Sequence, residues 1–230
     1  VIPYYEADGI TIYHGDALEL AADLSQADLL ILDPPFFMPA QHYAARSEWV
    51  RAWGDTAILG RWWAGALDIL GPRLRGTGSA FVFCDDESYP VFYPECYTRF
   101  PAISALIWNK GRIGMGKPWR HAHEFILHAR RTDAKWRGSA GESDVLDVTP
   151  TPAAQRWHPV SKPLALLDKL IRVTTDERDL VCDPFMGGGS TLDAAKSANR
   201  RAIGIEIEER YCEIAAKRLA QGVLDFGGAA

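Results

Sequence analysis

Three short apolar runs in this chain each end in an acid. Residues 29–32 (LLIL) lead into Asp33, 180–182 (LVC) into Asp183, and 202–205 (AIGI) into Glu206. Short continuous apolar runs bounded by turn residues read as strands buried on both faces, as parallel sheets require. Further runs at 80–83, 105–108 and 125–127 read the same way. Helical spacing recurs in Leu164, Leu167 and Ile171, and in Tyr211, Ile214, Ala215 and Leu219, with Ser161 and Pro163 as start signals for the first helix. Strands alternating with helices predict a doubly wound, Rossmann-like α/β fold: a mostly parallel sheet with helices on both faces. Ligands bind such sheets at the carboxyl ends of the strands, so the three acids are candidates for one shared crevice. Irregular chain is expected at 71–78, 111–118 and 133–157, where Gly, Pro and polar residues gather.

Two of the acids open distinctive loops. Asp183 is followed by Pro-Phe-Met-Gly-Gly-Gly-Ser-Thr and then by a helix-like stretch at 192–198. A glycine turn between strand and helix lets the backbone approach a ligand and aims N–H groups at it. No Lys precedes Ser190 and Thr191, so this is not a P-loop. Glu206 lies 17 residues beyond Gly189, near the spacing of an acid that accepts hydrogen bonds from a ribose. By itself this pattern indicates a nucleoside-containing cofactor, a dinucleotide included. Asp33 opens the second loop, Asp33-Pro34-Pro35-Phe36. Consecutive prolines remove two N–H donors and leave their carbonyls as acceptors. A carboxylate and a fixed carbonyl can together accept both hydrogens of an exocyclic amine, while Phe36 stacks on the base that carries it.

These two loops, with His158-Pro159-Val160-Ser161-Lys162-Pro163, resemble the amino-group DNA methyltransferases that use S-adenosylmethionine. The order, DPPF first and glycine loop last, resembles their beta group. His14-Gly15-Asp16, Phe83-Cys84-Asp85, Trp108-Asn109-Lys110, His123-Glu124-Phe125 and 201–219 extend the similarity over most of the chain. The resemblance implies a seven-stranded sheet with one antiparallel strand, in one catalytic domain spanning 1–230. Within it, 38–73 is expected as a helical insertion and 109–157 as a basic loop with a short target-recognition segment. Asp33, Pro34, Pro35 and Phe36 would hold the target base, with Asp33 also beside the cofactor. Asp183, Phe185, Gly187, Gly189, Ser190 and Thr191 would bind the methionine end of S-adenosylmethionine. Glu206 would take its ribose hydroxyls and Asp16 would sit near its adenine. His158, Ser161 and Lys162 would border it at the start of a helix, His158 as an orienting group.

Two departures from the family pattern shape the expected activity. Phe36 stands where Tyr is more common, which keeps stacking and removes a hydroxyl. The segment between Glu124 and His158 is short for a sequence-reading element. Relatives acting on cytosine N4 usually begin the tetrapeptide with Ser, so Asp33 favours adenine N6. The expectation is methyl transfer to the N6 amine of a flipped adenine in duplex DNA, or of an adenine in single-stranded DNA. Cytosine N4 and RNA adenosine N6 are the near alternatives. A dinucleotide-dependent oxidoreductase and a DNA-binding module without turnover are the distant ones.

Charge seems at first to oppose this reading, because the 230 residues carry a formal charge of -5. Its distribution reverses the argument. Residues 108–137 hold eight cations against two anions, a net +6, leaving -11 for the remainder. Lys110, Arg112, Lys117, Arg120, Arg130, Arg131, Lys135 and Arg137 are interleaved with Trp108, Trp119, Trp136 and three His, which suits phosphates and exposed bases. The 47% apolar content excludes a largely disordered chain, and no aliphatic run approaches the length of a membrane span. Four scattered Cys give neither zinc spacing nor a disulfide framework, so no metal is expected. No secretory signal is visible, and a cytoplasmic location is expected. Trp49, Trp53, Trp62 and Trp63 are expected in core or in a homodimer interface.

Overall fold

The computed structural model describes residues 1–35, 55–114, 118–152 and 161–221. Among them nine strands form one sheet: β1 (Tyr5–Ala7), β2 (Ile10–His14), β3 (Ala27–Leu32), β4 (Leu74–Cys84), β5 (Ala102–Asn109), β6 (His123–Arg130), β7 (Val145–Asp147), β8 (Leu180–Asp183) and β9 (Arg201–Glu206). Their order across the sheet is β1-β2-β9-β8-β3-β4-β6-β5-β7. Seven strands run one way, while β1 and β6 run antiparallel to their neighbours. The sheet thus has two strands more than expected, and two antiparallel strands in place of one. All six expected apolar runs are strands.

β1, β2 and β7 were not read from the sequence. β1 and β2 form a hairpin through Asp8 and Gly9, both at positive φ. That Asp-Gly dipeptide is the usual signature of a two-residue hairpin turn. The stretch 71–78 is also mostly ordered, since β4 begins at Leu74. Gly78 fits there because a Cβ would stand 2.8 Å from the Asp28 carbonyl oxygen.

Helices α1 (Ala17–Leu20), α2 (Thr56–Leu70) and α3 (Tyr89–Arg99) cover one face, and α4 (Leu164–Thr174), α5 (Ser190–Ser197) and α6 (Glu209–Ala220) the other. Each strand feeds both layers by alternation: Leu29 and Ile31 face α4–α6, Leu30 and Leu32 face α1–α3. All six residues of β3 are buried, as the centre of a two-sided sheet requires. α2 connects the parallel pair β3–β4 and buries Leu59, Trp63, Ala66, Leu67 and Leu70, so the described part of 38–73 is a helix packed against the sheet between those strands. Trp63 is core and packs 4.6 Å from Phe92 of α3. Trp49 and Trp53 lie outside the described residues. Pro163 is the N-cap of α4 and makes no side-chain cap bond, so Ser161 is not the cap. Among the described residues no helix is long and apolar enough to cross a membrane.

Candidate active site

From β3 the chain proceeds to one side of the sheet, through β4, and from β8 to the other, through β9. The crevice at such a reversal is where open α/β sheets bind ligands. Asp33 follows β3 and Asp183 ends β8, on hydrogen-bonded neighbouring strands at this point. Glu206 ends β9 one strand further, and Gly15 donates its N–H to the Glu206 carbonyl at 3.0 Å, bringing Asp16 to the same edge. The three strand-end acids and Asp16 thus lie on one rim.

Asp183 is 3% exposed. Burial raises its pKa to about 7 against the stabilising bonds from Thr191 and the Phe185 N–H, with Asp33 and Glu206 adding to the rise. Among the described residues no cation pairs with it. A ligand carrying its own positive charge is the natural complement of this buried, carboxylate-lined site. The glycine turn beside it is built for close approach: Gly187 and Gly189 have φ of 50° and 77°, and Gly189 caps α5. Ser190 and Thr191 are buried in the first turn of α5, and Phe185 stands 6.1 Å from Trp62 of α2. Glu206 accepts from Gly187 N at 3.0 Å and from Glu208 N at 2.8 Å. Each carboxylate oxygen keeps a further lone pair for a hydroxyl. Asp16 caps α1, accepting from Leu18 N at 2.7 Å.

Asp33 is tied into a chain of charges. Lys162, 8% exposed at its side chain, donates to Asp33 Oδ1 at 2.8 Å and lies 3.5 Å from Glu124 Oε2. Lys110 holds Glu124 Oε1 at 2.6 Å. Lys162, expected beside the cofactor, and Glu124, which has no role assigned from its motif, both lie in the surroundings of Asp33. Glu124 reaches this rim because β6 is antiparallel, so its first residues lie at the carboxyl ends of its neighbours. Pro34 is buried and Pro35 half-buried behind Asp33. Phe36 and His158 lie outside the described residues, and Ser161 adjoins Lys162 just before α4.

The basic stretch does not form one face. β6 carries the chain about 23 Å from its first residue to its last, from opposite Asn109, the last residue of β5, to opposite Ala102, its first. Lys110, Arg112 and Arg120 therefore sit at the carboxyl rim, in a hairpin closed by Gly114 N to His121 O and Arg120 Nε to Gly114 O. Arg130, Arg131, Lys135 and Arg137 sit at the opposite edge. There Lys135 pairs with Asp179 at 2.6 Å, Arg137 with Asp176 at 2.7 Å, Arg131 with the Gly71 carbonyl, and Arg130 with Ser104. Lys117 lies outside the described residues. Of the interleaved aromatics, Trp108 is core, with its indole N–H bonded to the Val148 carbonyl. His128 is buried on Phe81, where desolvation pushes its pKa down to about 3. Trp119 is 85% exposed, on the rim hairpin.

The family model described as DNA methylase, for N6 and N4 methyltransferases, matches residues 27–217. This chain belongs to the DNA methylase family. Among related DNA methylases, Type II methyltransferase M2.LlaDCHI of Lactococcus lactis subsp. cremoris is 26% identical, over 96% of this chain and 93% of its own. DNA adenine methyltransferase YhdJ of Escherichia coli K12 is 25% identical, over 91% of this chain and 82% of its own. The crystal structure of the M1.HpyAVI-SAM complex superposes with a TM-score of 0.71 at 26% identity, covering 91% of this chain and 98% of that one. The family match begins at the first residue of β3 and ends inside α6, so it spans both Asp33 and the glycine turn.

Proposed function

We propose that this DNA methylase transfers a methyl group from S-adenosylmethionine to the exocyclic N6 amine of adenine in DNA. The observation that carries the reading is the placement of Asp33 and Asp183 on adjacent strands at the sheet's reversal. An amine acceptor and a cation-complementary cofactor crevice thereby share one rim. Asp33 in the first tetrapeptide position, and the similarity to a protein named as a DNA adenine methyltransferase, favour adenine over cytosine.

The residues fit S-adenosylmethionine, whose ammonium and sulfonium complement Asp183 and its acidic neighbours. Asp183, the glycine turn with Ser190 and Thr191, and Phe185 would hold the methionine end; Glu206 would take the ribose and Asp16 would flank the adenine. When bound, the cofactor supplies a methyl group on a positively charged sulfur. Asp33 and the Pro34 carbonyl accept the two amine hydrogens, turning the nitrogen lone pair out of conjugation with the ring. Phe36 stacks on the base, which leaves the duplex or comes from single-stranded DNA. Positioning and fixed charge, not a strong base, provide the acceleration. Arg112 and Arg120, exposed on the rim hairpin, take phosphates beside the rim, and a cytoplasmic location fits a DNA substrate.

The test is incubation with methyl-labelled S-adenosylmethionine and single- or double-stranded DNA or RNA, followed by digestion and identification of the labelled nucleoside. N6-methyldeoxyadenosine is expected. Label only in N4-methylcytosine or in RNA would move the assignment to those substrates. Cofactor binding with no label in any polymer would mark a module without turnover.

A further inference from the structure

The alternating chain Lys110–Glu124–Lys162–Asp33 gathers four residues from separate parts of the sequence onto one rim. Lys162 stands just before α4 with its ammonium 4.9 Å from the Phe83 ring centre, between two carboxylates and an aromatic face. Lys110, which pins the outer end of Glu124, is 5.2 Å from the Trp108 ring. An ion-paired lysine on a group that must accept an amine poses a difficulty. With Asp33 as its sole counter-ion, the ammonium would compete with the substrate N–H for the same carboxylate. Glu124 on its other side resolves this by sharing the ammonium.

We propose that Glu124 is a positioning residue acting on Asp33 through Lys162: it anchors the ammonium at Oδ1 and draws off part of its charge, leaving Oδ2 a strong acceptor for the target amine. The proposal rests on the methyltransferase reading and adds two residues to it.

The electrostatic directions agree with this division. Burial raises the Asp33 pKa, Lys162 lowers it, Glu124 raises it again, and the net change is upward. Burial disfavours the Lys162 ammonium, but Asp33 and then Glu124 more than offset this and hold its pKa above the ordinary lysine value. Burial likewise opposes the Glu124 charge, yet Lys162 and Lys110 hold its pKa below the ordinary carboxylate value. Among the described residues, the other ionisable groups facing this cluster are Asp183 on β8 and, after and within β4, Asp85 and the Cys84 thiol.

Opposite signs follow for the two partners. Glu124→Gln removes the second carboxylate beside Lys162 and shifts the ammonium toward Asp33, so Asp33 ionises more readily but accepts more weakly. Single-turnover transfer at saturating cofactor should fall about 10- to 100-fold, with its acid limb moved to lower pH and the affinities for DNA and cofactor unchanged. Lys162→Met should move the acid limb to higher pH. In that background Glu124→Gln should cost less than about threefold more, because its route of action is gone. A second readout needs no activity: the 13C carboxyl shift of Asp33, assigned with Asp33→Asn, is titrated in the wild-type chain and both variants. Thermal melts confirm that each variant is folded. An Asp33 titration that moves down in Glu124→Gln and up in Lys162→Met supports the relay, whatever nucleoside the wild type labels. Unmoved or same-direction titrations, or losses that multiply in the double variant, overturn it. Absence of label from wild-type enzyme would instead count against the methyltransferase reading, with the carboxyl titration still deciding the relay.

Discussion

Gly187 donates its backbone N–H to Glu206 Oε2 at 3.0 Å, which fastens the glycine turn after β8 to the end of β9. The second oxygen of Glu206 is held by Glu208 N, so the carboxylate is oriented before any ligand arrives. Preorganisation of this kind spares a binding site the entropy of ordering it later. Glu206→Ala should therefore weaken S-adenosylmethionine binding by more than one lost ribose contact, about 100-fold by calorimetry. Glu206→Gln, which retains one acceptor oxygen, should lose less. Equal losses in the two variants would mean that the loop does not depend on this tether.

Asp183 links cofactor binding to stability. Its pKa in the folded chain is about 7, against 3.8 ordinarily, so the folded state holds this proton more tightly than the unfolded state. The sign follows: the group's contribution is fully present below pH 3.8 and is lost as pH rises through 7. Asp183→Asn should abolish that loss, stabilising the ligand-free protein at pH 8 by roughly 1–4 kcal/mol and scarcely changing it at pH 4. The same variant should bind S-adenosylmethionine at least about 100-fold more weakly. Wild-type affinity should itself decline as pH falls below 7, since binding must then expel the proton. Denaturant melts and titration calorimetry across pH 5–8 check both statements, and a variant less stable than wild type at pH 8 would contradict them.

Much of this site was legible in the sequence because its signals are local. Six strands are short apolar runs, and their terminal acids fall on one rim because parallel strands end together. The hairpin β1–β2 was equally local, in Asp8-Gly9 and the alternation of Ile10 and Ile12, but an exposed edge gives a weaker apolar run than a buried strand. Two kinds of information had no local trace. Lys162 and Asp33 are 129 residues apart, and only the fold brings them to hydrogen-bond distance. The +6 of residues 108–137 is a sum along the chain, whereas the antiparallel course of β6 divides those cations between the two ends of the strands. A linear charge sum cannot register the direction of a strand.

Gly189 has two reasons to be glycine. Its φ of 77° costs a side-chain-bearing residue about 1–2 kcal/mol. A Cβ there would also lie 2.8 Å from Cβ of Ala215 on α6, well inside normal contact. Gly189→Ala should destabilise the fold by about 2–4 kcal/mol and lower Tm by roughly 5–15 °C. Adding Ala215→Gly should restore the part due to the clash and leave the part due to φ. The double variant is compared with Ala215→Gly alone, which bears the cost of a glycine inside α6; a Gly189→Ala loss equally large in that background would assign the whole cost to the backbone.

The divided basic segment makes the sharpest prediction about DNA. Arg112 and Arg120 are exposed on the hairpin at the carboxyl rim that also carries Trp119, whereas Lys135 and Arg137 are neutralised by Asp179 and Asp176 at the other end of the sheet. Arg137 in particular donates twice to Asp176, whose pKa its guanidinium holds down at about 2. Removing a phosphate contact lowers the slope of log K against log salt by about 0.9 in duplex DNA. Arg112→Ala with Arg120→Ala should thus flatten the slope by nearly 2 and weaken binding at low salt. Lys135→Ala with Arg137→Ala should leave the slope unchanged and lower thermal stability, because Asp176 and Asp179 lose their partners. Trp119→Ala should weaken single-stranded DNA by about 1–3 kcal/mol with little change in slope, the mark of stacking and not of charge. Fluorescence anisotropy at 50–300 mM salt separates the three classes. A slope that depends on Lys135 and Arg137 instead would place the DNA across the far edge and away from Asp33.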